Sequence, residues 1–220
     1  MPLPRRIHLR LATPVPRGQA PRHGLLPCRR ALLSGCQGLV NCHRARAIVR
    51  CMQTWDAVTS RRNVRAFADR PIRPEDLDQI LEAGRRSPSS QNWQPWDFVV
   101  VTDRAQLQDL SQVFYGAHHV AGSAATIAII APAEDNEFRR AQFDLGQATM
   151  SMALAAADLG IGSCHAGVTD IDLARRVLGL PEDRTWVLLL SLGYPADRPL
   201  APVRRPNRRP FDEVVHRGHW

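Results

Sequence analysis

Between Pro88 and Pro95 the chain places the adjacent hydroxyls of Ser89 and Ser90 and the amides of Asn92 and Gln94, with indoles at Trp93 and Trp96. Prolines stiffen the backbone on either side, so the stretch suits a preset surface of hydrogen-bonding groups. A capped turn would need only one or two of these polar residues. Upstream lie Arg61, Arg62, Asn63 and Arg65, and near the end of the chain Arg204, Arg205, Arg208 and Arg209. Guanidinium groups meet phosphate oxygens in bidentate geometry, and a clamp for such an anion needs positive charge converging from distant parts of a chain. The alternative is a solvated face, or pairing of the first cluster with Asp56 and Asp69.

Other chemistries find less support. There is no Gly-x-x-x-x-Gly-Lys loop, no Gly-x-Ser-x-Gly elbow and no Gly-x-Gly-x-x-Gly after a strand, which weighs against P-loop, hydrolase and Rossmann readings. His118 with His119 and His216 with His219 offer imidazoles, but neighbours on a helix point apart and no carboxylate or thiol completes a metal set, so these histidines are expected at the surface. Cys164 and His165 are adjacent, and adjacent strand residues face opposite sides of a sheet, which argues against a thiol nucleophile with a histidine base.

The composition divides the chain. Residues 1–51 hold ten arginines, six prolines and no acid, whereas the remainder is close to neutral, so the net charge of +8 resides in the first segment. All twenty-nine basic residues are arginine, a bias that lowers the weight of any single one. Cys28, Cys36, Cys42 and Cys51 match no compact zinc spacing. Cys164 alone remains in the body, which reads as a reduced, cytoplasmic domain. No apolar run approaches a membrane span. The expectation is a disordered or upstream tail over 1–51, with Met52 the initiator, and one domain over 52–220.

Helix and strand signals alternate through that domain. Thr54 can cap a short helix through Trp55, Ala57 and Val58. Pro74, Glu75 and Asp76 open a second, with Leu77, Ile80, Leu81 and Gly84 on one face and Arg85 and Arg86 at its close. Asp97–Thr102 reads as a buried strand, Leu107 to Phe114 as helical, and Ala124–Ala131 as another buried strand. A long helix over about Glu137–Leu159 carries Phe143, Gln147, Met150, Leu154 and Ala157 on one face, while Ala148, Ala153, Ala155 and Ala156 permit close approach; central burial is favoured over a dimer contact. Gly160–Gly167 forms a glycine-punctuated strand, Asp170–Leu178 a helix closed by Gly179, and Thr185–Leu192 a third strong strand. The tail, with Phe211, two valines and Trp220, needs a surface to bury against, and a second subunit can supply it.

Taken in order, Arg61-Arg-Asn-Val-Arg-x-Phe67, Pro88-Ser-Ser-x-Asn-x-Gln-Pro-Trp96, Asp144-Leu-Gly, Leu159-Gly-Ile-Gly-Ser-Cys164, Gly193-Tyr-Pro195 and Arg208-Arg-Pro210 resemble the FMN-dependent nitroreductase family over essentially all of 52–220. The resemblance implies an α+β fold, a central mixed or antiparallel sheet flanked by helices, and a domain-swapped homodimer with FMN at its interface. It assigns Arg61, Arg62, Asn63 and Arg65 to the phosphate, ribityl chain and pyrimidine edge, with Arg205 and Arg208 closing on the phosphate. It sends Pro88, Ser89, Ser90, Asn92 and Gln94 to the partner's flavin, and lays the backbone of Cys164, His165, Ala166 and Gly167 against the ring. The implied chemistry is hydride transfer from NADH or NADPH to flavin N5, then reduction of a small acceptor such as a nitroaromatic or quinone, with no side-chain acid required and Arg65 stabilising charge on the reduced ring.

Two positions depart from the family pattern: Asn63 stands where Ser is frequent, and His165 where an aromatic is frequent. The short interval between Phe114 and Ala124 leaves little room for a helical lid and implies an open, tolerant flavin face. Other readings are an FMN storage or sensor protein, a flavin-fragmenting or dehalogenating relative, and a basic head that tethers nucleic acid; no specific nucleic-acid or membrane partner is expected.

Overall fold

The structure, a computed structural model, describes residues 53–220, apart from the side chains of Trp186 and Val187. The arginine-rich segment, its four cysteines and Met52 lie outside the described residues, as does the expected division at residue 52.

Four strands, β1 (Asp97–Val101), β2 (Ala125–Pro132), β3 (Gly162–Ala166) and β4 (Arg184–Gly193), form one antiparallel sheet in the order β1-β2-β4-β3. Their sequence alternation sorts side chains to two faces. Ile127 and Ile129 of β2 and Leu190 and Leu192 of β4 join Ile80 of helix α2 (Pro74–Arg85) and Leu145 and Met152 of helix α4 (Asp135–Asp158) on one side. Ala128, Ile130 and Leu189 join Leu107 and Leu110 of helix α3 (Arg104–Leu110) and Ala174 and Leu178 of helix α5 (Ile171–Leu178) on the other. The result is the expected α+β fold, with helices on both faces of the sheet. Helix α1 (Thr54–Ser60) precedes the first arginine cluster.

Local chemistry sets several boundaries. Pro74 with Glu75 and Asp76 starts α2; Asp103 and Asp170 cap α3 and α5 through side-chain acceptance from Gln106 and Leu173 amides; Gly179, at φ 64°, closes α5 in the left-handed region. Gly84 lets α2 approach α4, because a Cβ there would lie 2.8 Å from Met152 Cγ.

Four expectations need correction. Thr54 is the first helical residue, and the extended residue before α1 is Gln53, which makes no side-chain cap. Strand β1 is an edge strand with only Val101 buried, since β2 covers one of its sides and, among the described residues, nothing pairs with the other. The buried stripe of α4 is Ala141, Leu145, Ala148, Met152 and Ala156, while Phe143 and Met150 are 75% and 43% exposed; the small residues face the sheet because they allow the helix close to it. His119 is buried, as described below. Residues 201–220 are exposed throughout, including Phe211 and Trp220. Among the described residues no helix is long and apolar enough to cross a membrane.

Candidate functional site

The first arginine cluster lies along the β3 edge of the sheet. Asn63 bridges Ser163 in the parallel sense and Phe67 bridges Pro195 in the antiparallel sense. The Val64 amide donates to the Ser163 carbonyl at 3.0 Å, and the Ala68 amide to the Tyr194 carbonyl at 2.8 Å. Two glycines make this seating possible. A Cβ on Gly162 would stand 2.6 Å from Val64 Cγ2 and 2.7 Å from Val64 Cβ, and one on Gly193 would stand 2.7 Å from Phe67 Cδ1. The segment between Asn63 and Phe67 is thus held at both ends, with Val64 buried beneath.

A cleft of about 440 Å³ opens beside it, lined by Val58, Thr59, Arg61, Arg62 and Asn63 from the start of the domain and by Val203, Pro206, Asn207 and Arg208 from its end. Three guanidiniums and two carboxamides line it and no carboxylate does, a donor set suited to an anion. Arg61 Nη1 donates to Asn63 Oδ1 at 3.3 Å. Arg62 is engaged elsewhere: its Nη2 donates to Asp197 Oδ1 at 2.7 Å and to the Arg198 carbonyl at 2.8 Å. The alternative pairing with Asp56 or Asp69 is not the one formed; Asp69 lies 3.8 Å from Arg104.

Strand β3 is tied to this region through the Asn63–Ser163 bridge, although none of its residues is among those lining the cleft. Burial pushes the Cys164 thiol up, against the opposing charges of Arg65 and Arg61, which disfavours a thiolate nucleophile. His165 is held below the ordinary histidine value by burial and then by Arg61. On the far side His119, 7% exposed, has its pKa lowered by burial first and then by Arg65, with the Cys164 and Gly116 backbones beside its ring. His119 Nε2 and Ser163 Oγ are buried without hydrogen-bond partners. The expectation of surface histidines therefore holds for His118 and fails for His119: the short helix His118–Val120 turns one ring outward and the next inward.

The polar loop is built separately. Gln91, Asn92 and Gln94 have φ of 53°, 57° and 53°, a left-handed conformation that costs side-chain-bearing residues energy and persists only under constraint. That constraint comes from α4. Asp144, 2% exposed, accepts the Ser90 amide at 3.0 Å, and Gln147 reaches the Pro88 carbonyl at 3.4 Å. Ser89 Oγ accepts the Gln94 amide at 2.9 Å. The two indoles are structural: Trp96 is in the core, and the Trp93 ring lies under the Arg140 guanidinium at 4.9 Å.

One chain therefore brings together Arg61, Asn63 and Arg208 around the cleft, with Cys164 and His165 on the adjoining strand and Arg65 near Cys164. Pro88, Ser89, Ser90, Asn92, Gln94 and Arg205 are not among the residues lining that cleft. Sequence reasoning missed Asn207, whose place beside Arg208 was a usable signal, and Asp197, which carried none; it named His119 but placed it at the surface. Among the described residues no cluster of His, Cys, Asp and Glu could hold a metal ion.

The profile of the nitroreductase family matches residues 58–128 and 115–194. The chain belongs to the nitroreductase family. This family member is 36% identical over 169 residues to an Archaeoglobus fulgidus protein provisionally named NADH dehydrogenase/NAD(P)H nitroreductase, covering 74% of this chain and 96% of the relative. It is 28% identical over 173 residues to an FMN reductase [NAD(P)H] of Bacillus subtilis, covering 68% and 69% of the two chains. A solved FMN-dependent nitroreductase of Clostridium difficile superposes with a TM-score of 0.67 at 27% identity, covering 74% of this chain and 98% of that one.

Proposed function

We propose that this nitroreductase-family chain is an FMN-dependent oxidoreductase that draws electrons from NADH or NADPH and passes them to a small acceptor such as a nitroaromatic or quinone. The observation that supports it most is the acid-free cleft in which Arg61 and Asn63 face Asn207 and Arg208 across the span of the domain. Its volume of about 440 Å³ falls within the roughly 300–1,000 Å³ usual for small-molecule and cofactor sites. These residues fit a phosphate-bearing cofactor, and the seating of Asn63 on Ser163 sets the cleft against the edge of β3.

When bound, FMN supplies the two-electron chemistry between donor and acceptor. Arg61, Asn63, Asn207 and Arg208 would hold its phosphate and ribityl chain. The backbone from Cys164 to Gly167 would support the ring, and the Arg65 cation favours negative charge developing there. The protonated Cys164 and the neutral His165 add no competing charge. No general acid is needed from the chain, in keeping with the lack of a catalytic dyad around Cys164.

The polar loop Pro88–Gln94 does not line the arginine cleft of its own chain, and Phe143, Met150, Phe211 and Trp220 are exposed. A homodimer accounts for both: the loop of one copy completes the cleft of the other, and the apolar tail and outer face of α4 lie in the contact. The cytoplasm, a reducing compartment, suits the unpaired Cys164.

An absorbance spectrum of the purified protein tests the reading. Flavin bands that bleach anaerobically with NADPH or NADH are the expected result. Bound flavin that neither donor bleaches would turn the reading towards storage or sensing, and no binding of added FMN would refute it.

A further inference from the structure

The family resemblance places Arg62 with Arg61, Asn63 and Arg65 among the cofactor-binding residues, yet its surroundings differ from those of Arg61. Its guanidinium carries the hydrogen bonds to Asp197 and to the Arg198 carbonyl, and its side chain is 17% exposed. The Asp197 carboxyl lies below the usual carboxylate range, chiefly through the Arg62 hydrogen bond and then that of the Arg198 amide. Further along, the Val203 amide donates to the Thr59 carbonyl at 3.0 Å. Among the described residues no other hydrogen bond ties residues 199–220 to the rest of the domain. The Ala196 amide donates to the Ala66 carbonyl at 3.0 Å just before Asp197; beyond that point the fastenings at Arg62 and at Thr59 draw the chain across the end of α1, and the residues that follow, Pro206, Asn207 and Arg208, form the opposite wall of the cleft.

We propose that Arg62 is a positioning residue: its pair with Asp197 straps the C-terminal segment over α1 and sets Arg208 opposite Arg61, and Arg62 is not itself a ligand of the phosphate. The proposal rests in part on the FMN reading for its functional consequence, while the strap itself does not. The two roles predict opposite signs at Asp197. If Arg62 binds phosphate, Asp197 competes for it and adds a repulsive charge, so Asp197→Ala should tighten FMN. If the pair is a strap, losing either partner loosens Arg208 and weakens FMN.

The test titrates flavin-stripped full-length protein with FMN by fluorescence quenching, beside a time course of trypsin cleavage at the Arg204–Arg205 and Arg208–Arg209 bonds in the stripped protein. Arg62→Ala and Asp197→Ala should each raise the FMN Kd by about ten-fold, the worth of one charge-assisted hydrogen-bonded link. Their combination should cost no more than either alone, because both break one interaction. Both should speed trypsin cleavage, and the exchange Arg62→Asp with Asp197→Arg should recover most of the loss in the trypsin rate, the measurement that a carboxylate newly placed in the cleft wall does not disturb. Tighter or unchanged FMN binding by Asp197→Ala, with unchanged trypsin rates, would overturn the proposal. Should the wild-type protein bind no FMN, the FMN reading fails, and the trypsin rates still decide the strap.

Discussion

Replacing Gly162 by alanine tests how the arginine segment is seated. The new methyl would fall 2.6, 2.7 and 3.0 Å from Cγ2, Cβ and Cγ1 of Val64. A flexible side-chain tip could swing aside, but Val64 is β-branched and its Cβ is fixed to the backbone, so the segment itself must move. Movement stretches the Val64 amide bond to Ser163, 3.0 Å in length, and uncovers a side chain only 1% exposed. The hydrogen bond is worth about 1 kcal/mol and overpacking costs about 1–3 kcal/mol. A destabilisation of about 2 kcal/mol is therefore expected, or about 4–8 °C in melting temperature for a domain of this size. Thermal unfolding followed by circular dichroism measures it. Because Asn63 and Arg65 move with Val64, FMN affinity should fall as well, and trimming Val64 to alanine in the same chain should recover part of the stability. A Gly162→Ala protein that melts with the wild type, or one that Val64→Ala makes still less stable by the full cost of each change, would refute this account of the edge.

Arg61→Ala combined with Arg208→Ala should give a colourless protein of lower melting temperature, because a ligand that binds only the folded state stabilises it; full FMN occupancy in the double variant would contradict the phosphate clamp. The folded-state pKa of His119 lies below its ordinary value of 6.5, so its stabilising effect is present above that pH and is lost as the unfolded chain takes up a proton below it. His119→Gln should remove up to about 1.4 kcal/mol per pH unit of acid sensitivity below that pH, read from urea midpoints between pH 7 and pH 5 (about neutral to mildly acidic); an unchanged slope would assign the effect elsewhere. Asp144→Ala leaves the Ser90 amide without its acceptor and should destabilise the protein by about 1–3 kcal/mol. Faster hydrogen exchange confined to the loop from Ser90 to Gln94 is the expected signature, and unchanged exchange there would show that α4 does not hold the left-handed turn.

The elements were legible where one physical signal dominated. Pro74 with two acids, Asp170 with Gly179, and the unbroken apolar run of β2 each specify a boundary or a burial pattern locally. Strand β1 misled because a valine run looks the same at an edge as in the middle of a sheet. On α4 the larger side chains suggested the buried face, yet close packing on the sheet selected the alanines and left Phe143 outside. His119 sat beside His118 with nothing to tell the two rings apart until a helical turn sent them in opposite directions.

By itself the sequence determined the order of helices and strands, the positions of the arginine clusters and the polar loop, and the absence of nucleotide-loop and hydrolase signatures, because these depend on residue type and short-range periodicity. Only the tertiary structure decided which of two neighbouring arginines is paired with a carboxylate. Arg61 and Arg62 are neighbours of identical chemistry, and the difference between them is Asp197, 135 positions away. It likewise decided that Gly162 must lack a side chain, since the atom that forbids one belongs to Val64 on another segment. Such assignments arise from contacts between parts of the chain far apart in sequence, and neither composition nor spacing carries that information.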